Sequence, residues 1–455
     1  MSDAPLMVSV SGLRGWVGQS LTPEVAARFA AAFGSWLRES TGQPHPHVVF
    51  GRDSRPSGAM VERAATAGLL ATGCRVTTLG IVTTPSVAIM IDHLHADGGM
   101  VATASHNPIQ WNGLKPLNRD GVAPPPEQAR QIIERFHTNR CDYAAVEKLQ
   151  PVDHDDTANR VHVERLLKHI DAQAIRNRKP KVVLDSVHGA GGPATAMLME
   201  ELGVELVHLF AQTTGQFPHT PEPTRENLVG LSGVVREHHA DIGMAQDPDA
   251  DRLALVDERG RYIGEEYTLA LAAMHVMGGH PGGTGAANLS TSRMIDDIAA
   301  TNGGSVYRTP VGEANVAAAM RRHQCIIGGE GNGGVIWPVI AHVRDSLTGI
   351  ALVLELLATT GKSVGGLVAS IPAYAIVKDK LPIQPGMAER TIAAVREKFA
   401  GEKIDEQDGI RVDLAEGWVH VRPSNTEPIM RIIAEAADEK TARRLIDEVR
   451  RIVGR

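Results

Sequence analysis

The chain has 455 residues, 43% hydrophobic and 22% charged, with a formal net charge of −7. That balance fits ordinary folded domains and speaks against a nucleic-acid binder, which needs a basic excess. Cys74, Cys141 and Cys325 are odd in number and far apart, matching neither a disulfide framework nor a zinc spacing, so a reducing, cytoplasmic setting is expected. The start, Met1-Ser2-Asp3-Ala4-Pro5, lacks the basic-then-apolar pattern of a signal peptide. No apolar run approaches the roughly 18 residues that a spanning helix needs, so no membrane partner is expected. The best candidate, GIALVLELLATTG from Gly349, is too short, carries Glu355 and reads as a buried core helix.

In chain order, SVSGLRGWVG (9–18) is a Gly-rich loop carrying Arg14. A strand, HVVFGRDSRPSG (47–58), precedes the helix AMVERAATAGLLATG; its Arg52 and Arg55 read as surface arginines. A second strand, CRVTTLGIVTTP (74–85), leads through another helix to the strand and loop GGMVATASHNP. The pattern then recurs. KVVLDSVHGAGGP (181–193), TAMLMEELG, VELVHLF and ADIGMAQDPDADR (240–252) make a second copy. AANLSTSRMID (286–296), GSVYRTPVG (304–312) and CIIGGEGNGGVI (325–336) make a third.

Such alternation predicts three similar α/β domains with mixed, mainly parallel sheets, each donating one polar loop. The tail differs. Amphipathic helices at 390–401 and 438–453 flank the strands GIRVDLA, GWVHVRPS and IMRIIAEA, which predicts a smaller C-terminal α+β domain. The boundaries fall near 155, 257 and 370, giving units 1–155, 156–257, 258–370 and 371–455.

Four loops carry candidate chemistry. In TASHNP, Pro108 forbids a helix that begins earlier, so Ser105 sits on a tight loop at a strand end, either capping a turn or doing chemistry. DPDADR (247–252) places Asp247, Asp249 and Asp251 at alternate positions. In an extended chain these point to one side, a hard-oxygen set suited to Mg²⁺, with Arg252 placed for a shared anion. A calcium EF-hand is the competing reading, but its sixth position would be Arg252 rather than glycine; a solvated acidic hairpin is the plainer one. GGEGNGG (328–334) offers Glu330 and Asn332 to a polyol, or is an ordinary Gly-rich turn. RPSNTEP (422–428) offers Arg422, Ser424, Asn425 and Thr426 to a phosphate, or is a plain turn between strands.

Together the loops suit phosphoryl transfer, which needs positioning and charge neutralisation more than covalent machinery. With these motifs, in this order and over essentially its whole length, the chain resembles the α-D-phosphohexomutase superfamily. The resemblance implies four domains around a central cleft, the last one mobile. It implies a phosphorylated Ser105, and one Mg²⁺ held by Asp247, Asp249 and Asp251 with the serine phosphate. Arg14, His106, Lys115 and Arg252 would surround the transferring phosphate; Lys115 would handle the hydroxyl proton, with His106 the alternative. Glu330 and Asn332 would meet the sugar, and Arg422, Ser424, Asn425 and Thr426 the phosphate that is not reacting. A sugar 1,6-bisphosphate would serve as intermediate and activator, in a monomer or homodimer. The superfamily's sugar loop usually ends in histidine, where this chain has Gly334. The loop EGNGG is similar to that of a subgroup assigned to glucosamine phosphates, with glucose and mannose phosphates the alternative and a sugar phosphatase the remoter one.

Overall fold

The computed structural model describes residues 5–384, 386–424 and 429–453. The three copies read from the sequence fold with one shared topology. In the first, strand His47–Arg52 lies between Arg75–Ile81 and Gly98–Ala102, parallel to both. In the second, Lys181–Asp185 lies between Glu205–Leu209 and Ile242–Gln246. In the third, Thr284–Asn288 lies between Ser305–Thr309 and Ile327–Glu330.

Each third strand then doubles back on an antiparallel partner: Trp111–Asn118, Leu253–Val256 and Gly334–Ile336 respectively. The three polar loops are the turns of these hairpins. Such a hairpin puts its loop at the strand ends, where open α/β sheets place ligand-binding residues. The first sheet also gains Met7–Ser9, Gly12–Trp16 and Val152–His154, so that its described pairings are three parallel and three antiparallel.

Local signals set the helix ends. Thr22 accepts from the Val25 amide ahead of helix Pro23–Thr41, which stops at Gly42 in a left-handed conformation. Thr83 caps Thr84–His93, and Asp345 caps the apolar helix Ser346–Thr360, the buried core helix expected from GIALVLELLATTG. The C-terminal unit is a five-stranded antiparallel sheet covered by helices Met387–Lys398 and Glu439–Val453.

With few aromatics, the cores rest on aliphatic packing. One continuous apolar core joins the second and third units, from Val163 and Leu198 to Leu347 and Leu354. The C-terminal sheet packs its own core around Val412, Val421, Ile432 and Leu445. The chain thus forms three α/β units followed by an α+β unit, as the sequence pattern predicts.

Candidate functional site

Ser105 follows the buried strand Gly98–Ala102 and adopts φ 49°, a left-handed conformation uncommon for serine. Its amide donates to Thr103 Oγ1 at 2.9 Å. Its carbonyl accepts from Arg55 Nη2 at 2.6 Å. Its hydroxyl donates to Asp247 Oδ2 at 2.8 Å, and His106 Nδ1 lies 3.3 Å from Ser105 Oγ.

Arg55 is not the surface arginine expected from its motif. It is wholly buried, paired with Asp53 at 3.0 Å, and its guanidinium donates to the carbonyls of Ser105, Asn107, Pro108 and Trp111. A planar fork that ties four carbonyls together fixes the serine loop. Arg14, from the N-terminal hairpin, donates to Asn107 Oδ1 at 3.1 Å.

Asp247, Asp249 and Asp251 converge, with ligand oxygens all within 4.8 Å of one another, but not by the expected route. The segment is a tight turn rather than an extended strand, with Ala250 at φ 55°. The turn wraps around Asp247, whose Oδ1 accepts the amides of Asp251 and Arg252. Strands flank the turn on both sides, which excludes the helix–loop–helix of an EF-hand. The first unit reaches across to it: Thr84 donates its hydroxyl to Asp249 Oδ2 at 2.7 Å and its amide to the Asp249 carbonyl at 3.0 Å.

The donor set fits a hard divalent cation. Burial, with Asp249 and Asp251 as like-charged neighbours, pushes Asp247 well above the usual carboxylate range. Asp249 Oδ1 and Asp251 Oδ1 are buried with no hydrogen-bond partner. A cation among the three would relieve both conditions. Burial alone would raise Asp251 too, but Arg344, Lys115 and Arg252 hold it below the usual range. His106 is driven well below its ordinary value by Arg252, by burial and by Arg14, so the imidazole is neutral.

Lys115, on strand Trp111–Asn118, points between Asp251 Oδ2 at 3.7 Å and Glu313 Oε1 at 3.5 Å. Glu330 closes the third hairpin. Its Oε1 accepts from Asn288 and the Gly312 amide, and its Oε2 from Arg344. Asn332 sits at the turn of that hairpin, its Oδ1 buried and unpartnered. The Gly333 carbonyl accepts from the Leu253 amide, which fastens this loop to the end of the aspartate loop.

Ser105, His106, Arg14, Lys115, the three aspartates, Arg252 and Glu330 are therefore linked in one continuous cluster. Arg422 and Ser424 belong to the C-terminal sheet. Arg422 pairs with Asp408 at 2.8 Å in a geometry that is not a hydrogen bond, and the Ser424 amide donates to Ile429. Asn425 and Thr426 lie outside the described residues.

Sequence reading missed Thr84, Glu313 and Arg344. A cation followed by the N-cap Asp345 at the head of an otherwise apolar helix was the available signal for Arg344.

Four consecutive stretches match the domains of one family, described as "Phosphoglucomutase/phosphomannomutase": alpha/beta/alpha domains I, II and III at residues 6–142, 160–260 and 264–374, and the C-terminal domain at 375–452. A Thermococcus kodakarensis protein named "Phosphoglucomutase/phosphomannomutase" is 39% identical over 96% of each chain. A Methanopyrus kandleri protein named "Probable phosphoglucosamine mutase" is 38% identical over 98% of this chain and 97% of its own. The crystal structure of a Burkholderia thailandensis "Phosphoglucomutase/phosphomannomutase family protein" superimposes with a TM-score of 0.86, at 29% identity over 98% of each chain. With every domain matched in order and a buried serine facing three convergent carboxylates, the chain belongs to the phosphoglucomutase/phosphomannomutase family of the α-D-phosphohexomutase superfamily, and it is an isomerase that moves phosphate on a hexose.

Proposed function

We propose that the chain interconverts a hexose 6-phosphate and its 1-phosphate through a phosphate ester on Ser105, with glucosamine as the hexose. The observation that carries this reading is the Ser105 hydroxyl, held in a strained strand-end turn 2.8 Å from Asp247. In the first half-reaction a sugar hydroxyl attacks the phosphorus of phospho-Ser105. The bond from Oγ to phosphorus breaks, the sugar hydroxyl loses its proton to a protein base, and a sugar bisphosphate forms. The bisphosphate turns over, Oγ attacks the phosphorus of the other phosphate, the bond from that phosphorus to the sugar oxygen breaks, and the oxygen takes the proton back from the protein base, leaving the isomeric monophosphate and phospho-Ser105. A sugar 1,6-bisphosphate added from outside would load Ser105 by the same chemistry.

Arg14 and Arg252 place positive charge beside the transferring group. Lys115 exchanges the sugar hydroxyl's proton; neutral His106, 3.3 Å from Ser105 Oγ, is the second group able to do so. Asp247, Asp249 and Asp251 would hold one Mg²⁺ together with the serine phosphate, and the ion would neutralise charge on the transferring group. Glu330 and Asn332 would meet sugar hydroxyls. Arg422, Ser424, Asn425 and Thr426 would hold the distal phosphate. The unit boundaries near 155, 257 and 370 would leave one of these loops in each unit.

Glucosamine is favoured by the loop Glu330-Gly331-Asn332-Gly333-Gly334 and by the names of relatives such as the Methanopyrus protein. The Thermococcus name favours glucose and mannose as the second reading. Parallel assays of glucosamine, glucose and mannose 6-phosphates should give the highest kcat/KM for glucosamine. A preference for either neutral sugar overturns that choice, and release of free phosphate in place of isomerisation would make the protein a phosphatase.

A further inference from the structure

Arg344 is left without a task by this scheme, yet it occupies the junction of the site. It is 8% exposed and donates to three carboxylates at once. Nη2 reaches Asp251 Oδ2 at 2.6 Å, Nη1 reaches Glu330 Oε2 at 2.9 Å, and Nε reaches Glu313 Oε2 at 2.8 Å. Each acceptor has a second connection. Asp251 belongs to the aspartate triplet, Glu330 to the third hairpin loop, and Glu313 pairs with Lys115. Only a planar guanidinium can address three acceptors in fixed directions; an ammonium is a point charge on a flexible stem.

The backbone that carries Arg344 is fixed from both sides. The Asp345 amide donates to the Val335 carbonyl at 2.8 Å. The Asp345 side chain caps helix Ser346–Thr360 and lies 2.9 Å from His162 Nε2, whose Nδ1 is 3.0 Å from Ser86 Oγ. That buried chain ties the junction to elements of the first and second units.

Room for the arginine stem comes from Gly334. A Cβ added there would collide with Cδ of Arg344. The backbone of Gly334 lies outside the left-handed region, so its own conformation does not require glycine. This is the position at which the sugar loop departs from the superfamily's usual histidine.

We propose that Arg344 is a positioning residue that locks the aspartate loop, the third hairpin loop and Lys115 into one arrangement, and that Gly334 is glycine so that Arg344 can enter. The inference rests on the phosphotransfer reading for its effect on turnover, but not for its effect on cation binding.

The test compares R344Q, R344K, G334A and the double variant R344Q/G334A. Two readouts are taken: kcat and KM for isomerisation, and the Mg²⁺ concentration giving half-maximal thermal stabilisation. R344Q and G334A should each lower kcat more than they raise KM, by about tenfold to a hundredfold, and should raise the Mg²⁺ midpoint. R344K should fall between wild type and R344Q. The double variant should be no worse than the worse single one, because both disturb the same contact. G334A keeps every charge, so it decides the matter even if R344Q does not fold. Unchanged kcat and Mg²⁺ midpoint in G334A, or multiplying losses in the double variant, would overturn the assignment. If the phosphotransfer reading itself fails, wild type shows no isomerisation, while the Mg²⁺ midpoints still report on Arg344.

Discussion

At the scale of single residues, the site depends on side chains held in conformations or environments that they would not choose alone. Ser105 and Ala250 both take left-handed backbone angles, 49° and 55°. Each is held by its surroundings: Ser105 by Arg55 and Thr103, Ala250 by the hydrogen bond that its amide donates to the Asp247 carbonyl and by Ser346, which donates to its carbonyl. Asp249→Asn keeps the size of the side chain and removes one of three converging charges. Steady-state assays should show turnover lower by orders of magnitude while the circular dichroism spectrum is unchanged; full activity would rule out the cation site. Arg55→Met would leave Asp53 as an uncompensated buried charge and remove the guanidinium donor shared by four carbonyls. It should destabilise the protein by about 3–5 kcal/mol in urea unfolding. Nothing in the sequence around Arg55 distinguishes it from a solvated arginine, since burial is decided by segments about fifty residues away, Ser105 to Trp111.

At the scale of elements, the strand–helix repeat and the four loops are legible because hydrophobic periodicity and Gly/Pro punctuation are local properties. The geometry of the aspartate loop was not. Alternating carboxylates suggest an extended chain, but the acids converge because a turn folds around Asp247. The partners of those acids, Thr84 and Arg344, come from helix entrances far along the chain, and only the N-cap after Arg344 marks either of them.

Helix packing supplies a prediction at this scale. Helices Pro23–Thr41 and Gly58–Ala71 approach so closely at Gly68 that an added Cβ would collide with the Ala27 carbonyl oxygen. Gly68→Ala should therefore lower stability by about 1–3 kcal/mol, although alanine is the better helix former. A raised melting temperature would contradict the observed approach.

At the scale of the whole molecule, the second and third units share one core, whereas the C-terminal unit has its own. Polar contacts join that unit to the third: the Val311 amide donates to Asp408, Arg411 donates to the Leu289 carbonyl at 2.5 Å, and Ser290 Oγ lies 2.8 Å from His420 Nδ1. His420 Nε2 faces the Asp408 carbonyl at 2.6 Å, which can only accept, so Nε2 carries the proton and Nδ1 accepts from Ser290. Burial pushes the imidazole down to about 4.

The unfolded chain protonates His420 near its ordinary value of about 6.5, before the folded chain does. Its contribution is therefore complete above that pH and is lost as pH falls toward about 4. Urea unfolding between pH 7 and 4 should show a flatter pH dependence for His420→Gln than for wild type; equal slopes would contradict the assignment.

The measurement that bears most directly on the whole account is the intact mass of the protein, with peptide mapping, after exposure to a hexose 1,6-bisphosphate and Mg²⁺. Wild type should carry one added phosphoryl group, on the peptide containing Ser105, and a hexose monophosphate should remove it as the bisphosphate forms. Ser105→Ala should carry none and show no isomerisation while remaining folded. A phosphoryl group mapped to another residue, or undiminished isomerisation by Ser105→Ala, would contradict it.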